Sequence, residues 1–110
     1  MLKKLFRISK SKEYNNTYNS GLKIPYKYLI AYVLTNNLPV NRFGIVASKK
    51  IGNAVTRNRA RRRLRAIAEN STDRLKAGHD IVLIARQGIS KVDFSKLEKE
   101  FYTVMKKAGL

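Results

Sequence analysis

The chain has 110 residues, 44% of them hydrophobic, which is enough for one domain with one core and too little for two. Twenty-four Lys and Arg against seven Asp and Glu leave a formal charge of +17. That charge points to a polyanionic partner, and because no segment approaches the ~20 apolar residues of a membrane span, nucleic acid is favoured over a membrane. The absence of cysteine excludes a disulfide scaffold and thiolate zinc sites, and fits a reducing cytoplasm as the expected location.

In chain order, residues 1–8 read as a basic tail, mobile or draped over the domain, without the apolar run of a signal peptide. Residues 9–110 form the single domain. Ser9 or Ser11 is the expected cap of a first helix over Lys12 to Asn19. Tyr14 and Tyr18 mark one of its faces, while its asparagines and threonine are poor helix formers that need tertiary support. Gly21 stops it. Pro25 opens the next segment, and Tyr26 to Leu34 reads as a strand apolar on both faces, with Tyr28, Ile30, Tyr32 and Leu34 opposite Leu29, Ala31 and Val33. Asn36-Asn37-Leu38-Pro39 is a turn, and Arg42 to Ser48 alternates as a second strand, which makes a hairpin the economical pairing.

Lys49 to Ala54 breaks that strand, with Gly52 free to take a conformation other residues avoid and Asn53 placed to cap the next helix. That helix is expected over about Ala54 to Asn70. At 100° per residue Ala60, Leu64, Ile67 and Ala68 form an apolar stripe, and the arginines cover the remaining arc, Arg57 and Arg61 along one border and Arg63 on the other. Gly78 precedes Ile81 to Ala85, a buried strand, and Gly88 follows it. Asp93 or Ser95 caps the last helix, Ser95 and Glu98 matching a capping box. Its apolar face is Phe94, Leu97, Phe101, Val104, Met105 and Ala108. The order is α-β-β-α-β-α, an α+β domain with a crossover unit at its centre.

The run from Arg57 to Arg65 holds six arginines and no acid. On a helix it creates five like-charged pairs at i,i+3 or i,i+4, each costing roughly 0.2–0.5 kcal/mol, and it sets Arg57 and Arg59 near a helix N-terminus that favours anions. A solvated charged face normally mixes signs, and this one does not until Glu69. Phosphate binding removes both faults, and arginine's planar fork grips phosphate in bidentate fashion and also stacks on bases. Lys49 and Lys50 extend the patch.

Catalytic chemistry finds little material. His79, the sole histidine, sits beside Gly78 and Asp80 at a strand start, where a turn or capping role outweighs that of base or ligand. Asp73, Asp80 and Asp93 share no motif spacing. Tyr14, Tyr18, Tyr26, Tyr28 and Tyr32 are either core or stacking platforms for unpaired bases. Aromatic faces beside guanidiniums suit irregular or single-stranded RNA better than duplex DNA.

Ser48-Lys49-Lys50-Ile51-Gly52-Asn53-Ala54-Val55 running into Arg57-Asn58-Arg59, then Arg61, Arg62 and Arg65, resembles the hallmark motif of the bacterial ribonuclease P protein family. Looser similarity spans about Lys10 to Met105. The resemblance implies a single α+β domain whose central mixed β-sheet is flanked by helices, as in the second domain of a small-subunit ribosomal protein, with a left-handed βαβ crossover that ordinary handedness would not give.

The resemblance also implies function. The protein would be a subunit of an endoribonuclease that removes the 5′ leader of precursor tRNA, with the catalytic centre in the RNA subunit, Mg2+ supplied through RNA, no catalytic residue or metal held by the protein, and no obligate protein partner. Lys49, Lys50, Arg57, Asn58, Arg59 and Arg62 would bind the catalytic RNA. Tyr14, Tyr18, Tyr32, Arg61 and Arg65 would hold the precursor-tRNA leader in a cleft between the first helix, the sheet and the second helix. Tyr14 and Tyr18 replace the more usual Phe, and Arg61 the more usual Lys, which keeps stacking and charge. A general RNA-binding or ribosomal protein is the alternative.

Overall fold

Apolar runs and caps locate the elements in the computed structural model, which describes residues 3–110. Met1 and Leu2, part of the expected tail and of its signal-peptide reading, lie outside the described residues. Helix α1 spans Ser11–Ser20, β1 Leu22–Pro25, β2 Leu29–Thr35, β3 Arg42–Val46, α2 Ala54–Ser71, β4 His79–Ala85 and α3 Phe94–Lys107. The α-β-β-α-β-α order is present, with β1 added as a short edge strand between α1 and β2.

The sheet runs β1-β2-β4-β3, with β1 and β2 antiparallel, β2 and β4 antiparallel, and β3 parallel to β4. The expected β2–β3 hairpin does not form. Ile81, Val82 and Leu83 of β4 are fully buried, and a strand buried on both faces takes an interior place, paired with β2 on one side and β3 on the other. The hairpin is instead β1–β2, turning through Tyr26, Lys27 and Tyr28, where the Tyr26 amide donates to the Leu29 carbonyl at 2.9 Å. Pro25, with no amide hydrogen, ends the edge strand.

One sheet face carries the core. Leu29, Ala31, Val33, Phe43, Ile81 and Leu83 pack against Ala60, Leu64, Ile67 and Ala68 of α2 and Leu97, Phe101, Val104 and Met105 of α3. The stripe read from 100° periodicity on α2 is the buried one, joined by Ser71, whose hydroxyl donates to the Ala68 carbonyl. Burial of each large side chain supplies about 1.5–3 kcal/mol, which outweighs the arginine repulsion on the other side of the helix.

Helix starts differ from expectation at two ends. Neither Ser9 nor Ser11 caps α1. Lys10 occupies the cap position, and Glu13 reaches back so that Oε1 accepts from the Lys10 and Ser9 amides at 3.2 and 3.4 Å. Asp93 stands at the cap of α3 without a side-chain bond, and Ser95 lies inside the first turn rather than in a capping box. Asn53 does cap α2, its side chain accepting from the Thr56 amide at 3.0 Å. Gly52 precedes it at φ 143°, where a Cβ would also meet Thr56 at 3.0 Å. Ahead of α1, a 3₁₀ turn at Lys4–Phe6 leads to Arg7, which bridges to Phe43, and Ile8, buried with its amide on the Phe43 carbonyl.

Candidate nucleic-acid interface

Register places side chains opposite the core in rows across the sheet, because directly paired residues share a face. The first row is Arg42–Asp80–Leu34, the second Gly44–Val82–Tyr32–Lys23 and the third Val46–Ile84–Ile30–Pro25. Each row meets a different part of α1, or none of it.

The first row is a clamp. Arg42 Nε and Nη2 donate to the two oxygens of Asp80 at 2.9 and 2.8 Å, and Nη1 donates to Glu13 Oε2 at 2.7 Å. Asn36 Nδ2 adds a bond to Asp80 Oδ1 at 2.9 Å. Hydrogen bonding to Asp80, ahead of that to Glu13, raises the Arg42 pKa well above its usual value despite partial burial. Burial of the Glu13 carboxyl works against ionisation, but the Lys10 amide, the Arg42 guanidinium and the Ser9 amide outweigh it and hold its pKa below the ordinary glutamate value. Glu13 thus starts α1 and ties it to the sheet.

A depressed carboxyl pKa stabilises the fold above the ordinary glutamate value, and the gain is lost as pH falls through the folded-state value. Urea midpoints should therefore decline on acidification more steeply for the native chain than for Glu13→Gln. Parallel declines would show that Glu13 takes no part.

The second row lies beneath the tyrosines. Tyr14 crosses Gly44 so closely that a Cβ there would sit 2.5 Å from Tyr14 Cε1. Tyr18 stands 6.5 Å from Tyr14 and 5.1 Å from Tyr32, the latter pair edge-to-face at 81°. Burial raises the Tyr14 pKa against the pull of the Ile45 backbone and Arg65, and burial with the neighbouring tyrosines raises that of Tyr18. Both remain neutral hydroxyls at physiological pH. The third row, Val46, Ile84 and Ile30, is half-buried and forms an apolar floor beside the tyrosines.

The arginine helix borders this cleft. Its exposed side holds a groove of about 470 Å3 lined by Val55, Asn58, Arg61, Arg62 and Arg65. A smaller hollow of about 200 Å3, lined by Arg7, Ile8, Tyr14, Phe43, Ile45 and Arg65, lies on the cleft side. Arg65 lines both. Arg61 donates to Asn58 Oδ1 at 2.9 Å and to the Ala47 carbonyl at 3.2 Å, which turns it along the border nearest β3. Arg57 donates to the Gly52 carbonyl at 3.2 Å, and Arg59 and Arg62 stand exposed. Lys49 and Lys50 lie exposed on a 3₁₀ turn, Lys49–Ile51, whose cap is Ser48 and which Gln87 Nε2 ties down through the Lys50 carbonyl.

Arg63 departs from expectation. It does not face an anion: its Nη1 donates to the Ile89 carbonyl at 3.1 Å and to that of Val92, fastening the loop before α3 to α2. His79 has the turn role expected of it, its amide on Asn41 Oδ1 and its Nδ1 3.2 Å from the Lys76 carbonyl. Residues the sequence reading passed over are Gly44, the clamp partners Glu13 and Arg42, and the floor residues Val46 and Ile84. Only the floor left a signal, in strands apolar on both faces.

A basic helix beside an aromatic-lined cleft on a four-stranded sheet defines a nucleic-acid-binding α+β protein. The family profile described as Ribonuclease P matches residues 2–109. The ribonuclease P protein component of Syntrophomonas wolfei is 48% identical over 110 residues, covering 100% of this chain and 92% of that one. Among solved structures, a Staphylococcus aureus ribonuclease P protein superposes with TM-score 0.82 at 29% identity, covering 94% of each chain. The Thermotoga maritima protein superposes with TM-score 0.83 at 26% identity, covering 92% of this chain and 96% of that one. The chain belongs to the ribonuclease P protein component family and is the protein subunit type of that endoribonuclease.

Proposed function

We propose that the chain binds the catalytic RNA of ribonuclease P with Lys49, Lys50, Arg57, Asn58, Arg59 and Arg62, and the 5′ leader of precursor tRNA with Tyr14, Tyr18, Tyr32, Arg61 and Arg65. It thereby promotes endonucleolytic removal of the leader to give the mature tRNA 5′ end. The observation that carries this reading is the position of Arg65, shared between the arginine groove and the hollow under Tyr14. One guanidinium there lies within reach of two strands.

The division of labour follows from chemistry. Exposed arginines that outnumber the one acid beside them, Glu69, suit a folded RNA backbone, where neutralised phosphates release counterions. Half-buried tyrosines over an apolar floor suit unpaired bases, which stack on any aromatic face. Binding both RNAs at once places the leader against a rigid scaffold and lowers the entropy cost of bringing substrate to the catalytic centre.

The bond is cut in the RNA subunit. Mg2+ belongs there too, since the acids beside the cleft, Glu13 and Asp80, are both bonded to Arg42 and do not fit a metal. No protein partner is needed, and the site of action is the cytoplasm. No described helix is long and apolar enough to cross a membrane. The comparisons lend no support to a general RNA-binding or ribosomal role.

Reconstitution tests the reading. Added to its cognate catalytic RNA at low magnesium, the chain should restore cleavage of precursor tRNA at the mature 5′ end, and alone it should cleave nothing. Failure to restore cleavage would overturn the proposal, as would cleavage by the protein without RNA.

A further inference from the structure

Two of the tyrosines outside the cleft share the β1–β2 turn. Tyr26 and Tyr28 flank Lys27 in the β1–β2 turn, at the far end of the sheet's third row, which finishes at Pro25. Lys27 Nζ lies 5.3 Å from the Tyr28 ring centroid and Lys107 Nζ lies 5.2 Å from that of Tyr26. Arg86 is exposed beside them, its Nη1 on the Tyr26 carbonyl at 2.8 Å and its amide on the Tyr28 carbonyl at 3.0 Å. The acid at this place, Glu100, accepts the Tyr28 and Leu29 amides at 2.8 and 3.0 Å through Oε2 and so braces the turn.

We propose that this turn is a second single-strand RNA surface, which takes the part of the leader upstream of the nucleotides held in the cleft. The inference rests on the leader reading given above. Three things on the molecule carry it. The floor row crosses four strands, about 14 Å at the usual spacing, and ends at Pro25, next to the turn, so a strand that leaves the cleft along the row arrives there. Both rings keep one side against the core and leave the other to a flexible lysine. A base can take that side while the ammonium moves to the adjoining phosphate. Three exposed cations, Lys27, Arg86 and Lys107, give the charge a phosphate chain requires.

The probe is a set of precursor tRNAs whose leaders lengthen one nucleotide at a time, bound to the holoenzyme. The native chain should gain about tenfold in affinity once the leader outgrows the cleft, the effect of one stacked base with its phosphate. Tyr26→Leu with Tyr28→Leu keeps the apolar contacts, and Lys27→Ala with Lys107→Ala alters exposed positions only. Both double variants should lose the gain while binding short-leader precursor as the native chain does. A native-sized gain in both variants, or an equal loss on short and long leaders, would overturn the proposal. Equal affinity of the native chain for precursor and mature tRNA would instead overturn the leader reading on which it stands.

Discussion

Arg42→Met should cost the fold about 2–4 kcal/mol, somewhat under the roughly 3–5 kcal/mol of breaking a fully buried ion pair. The Asp80 side chain is 8% exposed, and only Asn36 would be left to bond its carboxyl group. Arg42 and Glu13 are 21% and 22% exposed, which lets water offset part of the loss. The damage would not stay at the sheet. Glu13 holds α1 down through Arg42, and α1 has few other anchors, chiefly buried Thr17 and the tyrosine contacts. Hydrogen exchange should therefore rise across α1 well before it rises across β4, and leader affinity should fall with it. An Arg42→Met chain as stable as the native one, with α1 equally protected, would show that the clamp is ornamental.

Gly44→Ala should do the reverse, sparing the fold and impairing the cleft. The added methyl would lie 2.5 Å from Tyr14 Cε1 and 2.8 Å from its Cζ, the movable end of a side chain rather than backbone. The ring swings aside at a cost of about 1 kcal/mol, the low end for overpacking. Tyr14 then no longer lies over β3, and a stacked base loses a partner worth about 1–3 kcal/mol. Preference for precursor over mature tRNA should fall about tenfold, while affinity for the catalytic RNA stays as it was. Loss of both affinities together would place Gly44 in general folding instead.

These two positions show what local sequence signals carry and what they do not. The α2 stripe, the Asn53 cap and the turn at Asn36 all depend on neighbours within a few residues, and they were legible. The β1 strand was not, because an edge strand with one buried residue, Ile24, and a terminal proline offers almost no alternation to read. Pairing of β2 with β4 instead of β3 is a long-range choice, although the unbroken apolar run of β4 hinted that it needed a neighbour on each edge. Arg63 looked like its fellow arginines because the carbonyls that bind it come from a loop 26 residues and more away. Glu13 was hidden by two serines that are better local caps than a glutamate at the third helical position. The Tyr14–Gly44 contact joins α1 to β3, and no spacing rule reaches that far.

Within the binding set, residue type carried further than geometry. A run of arginines with no acid among them named the chemistry before the fold was known, and the motif around Arg57-Asn58-Arg59 named the family. What folding added is the sharing of Arg65 between two surfaces and the clamp that holds the tyrosines over the sheet.

The division between those surfaces is tested most directly by crosslinking. With a photoreactive nucleotide placed in the leader of precursor tRNA bound to the holoenzyme, crosslinks should fall on Tyr14, Tyr18 and Tyr32 and on the floor at Val46 and Ile84. Leader crosslinks confined to Arg59, Arg62, Lys49 and Lys50 would contradict the division, since those residues would then hold the substrate strand in place of the RNA subunit.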